Sequence, residues 1–65
     1  MLNFLFAFDQ NYNIQGSVSI YSLLENLENK VNVFVILDSS NKDFTFPELI
    51  RKHKNLNELI IKEID

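Results

Sequence analysis

Two stretches of this sequence, residues 2–8 (LNFLFAF) and residues 31–37 (VNVFVIL), are nearly unbroken apolar runs, and each stops at an aspartate, Asp9 and Asp38. Continuous rather than alternating hydrophobicity marks strands covered on both faces, the habit of parallel sheets. The second run is rich in β-branched residues, which favours strand further. Parallel neighbours need a crossover, and the sequence between the runs supplies one.

After a polar loop at residues 9–13, residues 15–30 read as a helix. At about 100° per residue, Ile20, Tyr21, Leu23, Leu24 and Leu27 fall on one broad arc, with Ser19, Ser22, Glu25, Asn26 and Asn29 opposite. Val18 lies among the polar group, and Ser17 and Glu28 lie near the apolar arc. Gly16 is placed in the first turn, where a backbone may approach a neighbour closely and where glycine costs less than in a helix interior. Residues 39–43 read as a second loop. Thr45, Pro47 and Glu48 have the spacing of a capping box with proline in the first turn, predicting a helix of about two turns to Lys54. Residues 56–64, with Leu59, Ile60 and Ile61, close the chain as a third strand.

The expected fold class is therefore α/β, a β-α-β-α-β parallel sheet forming a partial Rossmann-like nucleotide-binding unit. The expected strand order is 3-2-1, with right-handed crossovers and both helices on one face. The other face of a strongly apolar sheet would then lack cover, so the chain is expected to form a homo-oligomer.

Bulk properties narrow the function. A net charge of −3 gives no electrostatic footprint for nucleic acid or an acidic membrane. The basic residues Arg51, Lys52, Lys54 and Lys62 are interspersed with Glu48, Glu58 and Glu63 and read as a solvated face. The apolar N-terminus lacks a basic leader and a small-residue cleavage site, and it is too short to span a bilayer. With no cysteine, and one histidine (His53) between two lysines, neither a disulfide framework nor a zinc site can be drawn. The lack of cysteine suits a reducing, cytoplasmic setting. A core this small supplies only about 3–5 kcal/mol.

Ligands of open parallel sheets bind outside the carboxyl ends of the strands. Asp9 and Asp38 are expected there, with Asn11 and Tyr12 beyond the first. A carboxylate, an amide and an aromatic ring together can fix a nucleoside, the polar groups reading base or ribose edges while the ring stacks. The same residues could also simply shape a turn, with Tyr12 packed on the sheet. Asp38 reads mainly as a strand-end turn residue, with a ligand contact as the lesser alternative. Ser19 and Ser22 have no His–acid pair to activate them, and Tyr21 reads as core.

The segment from Phe6 through Tyr12 (FAFDQNY), the helix segment 17–26 (SVSIYSLLEN) and residues 33–38 (VFVILD) together resemble the start of the family 8 retaining glycosyltransferases, relatives of glycogenin and of the bacterial lipopolysaccharide galactosyl- and glucosyltransferases. The likeness spans most of the first forty residues and thins after Ser40. It implies a GT-A fold and transfer of a hexose from a nucleotide-sugar donor, usually UDP-linked, with retention of configuration. Ala7, Asp9, Asn11 and Tyr12 match the nucleotide-contacting positions, while Gln10 carries no assigned role.

The complete family enzyme is expected to use Mn²⁺ or Mg²⁺ held by a later Asp-x-Asp motif, and no Asp-x-Asp occurs in this sequence. Departure of a nucleoside diphosphate leaves negative charge that a divalent cation normally neutralises. Residues 1–65 are thus expected to be the incomplete N-terminal segment of such a domain. They would supply the nucleoside half-site, bind UDP-sugar weakly and be inactive alone. A dinucleotide-binding module is disfavoured because residues 9–16 hold one glycine rather than G-x-G-x-x-G. A small stand-alone α/β interaction or structural protein is the remaining alternative.

Overall fold

The computed structural model describes residues 1–38 and 44–64. Its elements are β1 (Asn3–Phe8), α1 (Asn13–Glu25), β2 (Val31–Asp38), α2 (Glu48–Arg51) and β3 (Leu56–Ile64), with a 3-10 turn at Gln10–Tyr12 leading into α1. The three strands form one sheet in the order β1-β2-β3, and both neighbouring pairs are parallel. This is the expected β-α-β-α-β Rossmann-like unit. The loop expected at residues 39–43 lies outside the described residues.

The central strand β2 organises the core. Val31, Val33, Val35 and Leu37 alternate to one face and are buried, while the intervening residues are half-buried. Over the buried row lie Ile20 and Leu24 from α1, Phe46 and Ile50 from the α2 region, and Leu56 from β3, so both helices cover the same face. Phe4, Phe6 and Phe8 of β1 pack against this cluster from the side. The predicted apolar arc of α1 is the packed one: Ile20 and Leu24 are fully buried, and Tyr21 and Leu27 pack against the cluster. Val18, placed among the polar positions, is exposed.

Gly16 sits in the first turn of α1 with the ring of Phe8 against it. A Cβ built there would lie 2.6 Å from Phe8 Cε1, too close for any side chain without a shift. Glycine thus lets α1 settle directly onto the end of β1, the close approach its position suggested.

The helix boundaries differ from expectation, beginning with α1, which starts at Asn13 rather than residue 15. The first helix ends at Glu25 rather than Lys30. Asn26 closes it, its Nδ2 donating to Ser22 O at 2.7 Å. Asn55, thirty residues on, donates through Nδ2 to both Leu24 O (2.9 Å) and Leu27 O (2.7 Å). These bonds satisfy carbonyls that a continuing helix would have used internally.

The capping box does not form. Pro47, not Thr45, occupies the N-cap position of α2, extended at φ −61° and ψ 155°, and no side chain caps the helix. The chain stays extended because Phe46 must reach the core, where it is buried edge-on against Phe8 and Phe44. The carbonyl of Pro47 accepts from Arg51 N at 3.1 Å, and Arg51 Nε donates back to Phe46 O at 2.7 Å.

The second helix is also a single turn, Glu48–Arg51, rather than two turns to Lys54. The backbone leaves the helix so that Asn55 can reach α1 and its carbonyl can accept Val31 N at 2.9 Å.

Candidate functional site

The pairing of Phe8 with Leu37 puts Asp9 and Asp38 at the same, carboxyl end of neighbouring strands. An open hollow of about 470 Å³ lies there, at the outer edge of β1 and the start of α1. Phe6, Ala7, Phe8 and Asp9 border it from the strand side, and Tyr12, Gln15, Gly16 and Ser19 from the helix side. Three of the four residues expected at a nucleotide site, Ala7, Asp9 and Tyr12, border this hollow. The fourth, Asn11, is exposed and not part of its lining.

Asp9 has a structural task of its own. Its Oδ1 accepts the backbone N–H of Asn11 at 2.9 Å, and its carbonyl accepts Tyr12 N at 3.0 Å. The carboxylate thereby caps the 3-10 turn and aims the chain into α1, the turn-forming role the sequence left open. That bond engages Oδ1, and Asp9 as a residue also borders the hollow. Tyr12 stands 55% exposed, so one side of its ring is available as a stacking surface.

Gln15, Gly16 and Ser19 were not assigned to the site from sequence, although the signal was present. Positions 12, 15, 16 and 19 have the spacing of one helix face, which fixes them as a set once Tyr12 is placed. Among the described residues Asp9 is the only ionisable group in the lining besides the phenol of Tyr12, and none of them that borders it is a Lys or Arg. The described lining suits the uncharged end of a ligand and brings no cation to a diphosphate. Among the described residues no group of three His, Asp or Glu could hold a metal ion, so no donor set fits Mn²⁺ or Mg²⁺.

A second polar cluster was not anticipated. His53 turns inward, its side chain only 7% exposed, with its ring edge-on to Tyr21. The backbone N–H of Asn55 donates to Nδ1 at 3.1 Å, which leaves the imidazole proton on Nε2, facing Glu25 Oε1 at 3.2 Å. Hydrogen bonds from Tyr21 and His53 hold the Glu25 carboxyl below its ordinary pKa. The same bond to Glu25, and then its charge, push the Tyr21 phenol above its own. With both imidazole nitrogens engaged, His53 has no free lone pair to act as a base. The cluster ties α1 to the segment before β3. The i,i+4 spacing of Tyr21 and Glu25 was legible, but nothing local brings His53 to them.

The basic residues behave as a solvated face. Arg51 and Lys52 approach Glu48 at 4.0 and 3.8 Å in exposed pairs that contribute little to stability.

No known protein family, curated protein or solved structure matches this chain. The structure therefore identifies a small α/β unit with a three-stranded parallel sheet.

Proposed function

We propose that this chain supplies the nucleoside half-site of a glycosyltransferase that uses a nucleotide-sugar donor, a UDP-sugar by resemblance, with retention of configuration. The observation that carries this reading is the meeting of Ala7, Asp9 and Tyr12 in one hollow at the carboxyl end of a parallel sheet. Tyr12 gives a stacking face for the base, and Asp9 Oδ2 accepts from a ribose hydroxyl or a base N–H. Gly16 lets α1 sit against the Phe8 ring at the hollow's border. Among the described residues the lining holds no cation, and the sequence holds no Asp-x-Asp, so the diphosphate and the transfer step need groups beyond this lining.

Isothermal titration of the 65-residue chain with uridine and with UDP tests the reading. Both should bind in the millimolar range, about 4 kcal/mol, and with similar affinity because no described residue of the lining grips phosphate. Tyr12→Ala should abolish binding while far-UV circular dichroism stays unchanged. Unaltered affinity in that variant, or no binding by the parent chain, returns Asp9 and Tyr12 to a turn-forming role. The uncovered face of the sheet favours a second reading, a small α/β interaction protein.

A further inference from the structure

The alternation that buries Val31, Val33, Val35 and Leu37 sends Asn32, Phe34 and Ile36 to the opposite face. Strand register aligns three rows there: Asn3, Asn32 and Glu58; Leu5, Phe34 and Ile60; Ala7, Ile36 and Lys62. No helix covers these rows among the described residues. Leu5 is 67% exposed and Ile60 40%, and the middle row borders an apolar depression that includes Phe34 and Ile36. A contiguous apolar surface with a polar border on a small protein marks an interaction site.

Two details of the border choose the occupant. The first is a ladder of amides: Asn32 Nδ2 donates to Asn3 Oδ1 at 2.9 Å, and Asn57 Nδ2 donates to Asn32 Oδ1 at 2.9 Å. Part of the hydrogen-bonding need of these amides is met within the chain, so covering them costs less than covering free asparagines. The second is charge. On β3, Glu58 and Lys62 lie two residues either side of Ile60, on the same face, so the strand is charged oppositely about its own centre.

We infer that this face seats a second copy of the chain, with the two sheets packed face to face and their strands antiparallel. A two-fold axis through the Leu5, Phe34 and Ile60 row, perpendicular to the strands, lays β3 over β3 in opposite directions. Glu58 of each copy then stands opposite Lys62 of the other. The alternative axis, along the strands, lays β3 over β1 and sets Lys62 against Ala7, with no countercharge. Complementarity thus selects the antiparallel arrangement. At the usual sheet separation of about 10 Å, Leu5, Phe34 and Ile60 fill the space between the layers.

Sedimentation equilibrium of the full chain at micromolar concentration reads the result, with far-UV circular dichroism confirming the fold of each variant. The parent should be a dimer. Glu58→Lys and Lys62→Glu, both at exposed positions, should each weaken the dimer about tenfold, because each converts two attractive pairs into two repulsive ones. The double variant should recover parental affinity. A monomer at every concentration, an assembly larger than two, or a double variant no tighter than the singles would overturn the inference.

Discussion

On one face of the sheet, Val31, Val33, Val35 and Leu37 are shut beneath α1 and the segment around Phe46; on the other, Leu5 and Ile60 of the same sheet remain exposed. Both faces are apolar, and both derive from the same unbroken runs of sequence. What separates them is where the crossovers go. Two successive steps from strand to neighbouring strand carry both helices over one side. A continuous apolar strand therefore records that two covers are called for, without recording whether one chain provides both. Stability should accordingly be concentrated on one face, and recognition left to the other.

The largest effect that can break this comparison comes from truncating one leucine on each side. Leu24→Ala removes a fully buried side chain and should cost about 3–5 kcal/mol. That is about as much as a core of this size supplies, so the variant should be largely unfolded in water. Leu5→Ala should lower the unfolding free energy by less than about 0.5 kcal/mol when measured below the dimer's dissociation constant, where the chain is monomeric. Comparable losses from the two substitutions would mean that the second face is already covered within one chain.

A smaller effect sharpens the account of how the covered face closes. Gly16→Ala gains about 1 kcal/mol in helix propensity but drives a methyl group into the Phe8 ring, an overpacking that costs about 1–3 kcal/mol. Phe8 is itself held edge-on by Phe46, so its ring cannot swing away freely. The net expectation is a loss of about 1 kcal/mol, read from the thermal or urea midpoint. A stabilised variant would show that α1 is not seated against β1 as tightly as the backbone suggests.

The smallest effect depends on pH. The Glu25 pKa is depressed in the folded chain, so its contribution is whole above the ordinary glutamate value of about 4.3 and fades as the pH falls below it. Glu25→Gln keeps the acceptor for Tyr21 and His53 but removes the charge. Thermal midpoints of parent and variant should differ slightly near neutral pH and converge in acid. Curves that stay parallel down to low pH would mean that the charge of Glu25 does nothing for the tie between α1 and the segment before β3.

The strands, their parallel order and the packed arc of α1 were legible because each rests on a repeating local pattern. Ile20 and Leu24 announce their face by spacing alone, and Gly16 announces a close approach by being the chain's sole glycine in an otherwise regular helix. The misplaced boundaries share a different cause. Helix α1 stops where Asn55 meets it, and α2 starts late because Phe46 is drawn into the core. Both are decided by partners distant in sequence that no local propensity encodes. The candidate site divides the same way. Asp9 and Tyr12 follow directly from the strand end, whereas the Tyr21–Glu25–His53 cluster exists only after the chain has folded back on itself.

The bonds from Asn55 to Leu24 O and Leu27 O also set an order of events. As the chain leaves the ribosome, α1 can wind and β1 and β2 can pair, but the end of the helix lacks its second stop until residue 55 has emerged. Until then the helix is free to fray or to run on into the segment before β2. Asn55 thus fixes the length of a helix that ends thirty residues earlier, and the segment just before β3 is what holds that helix end in place.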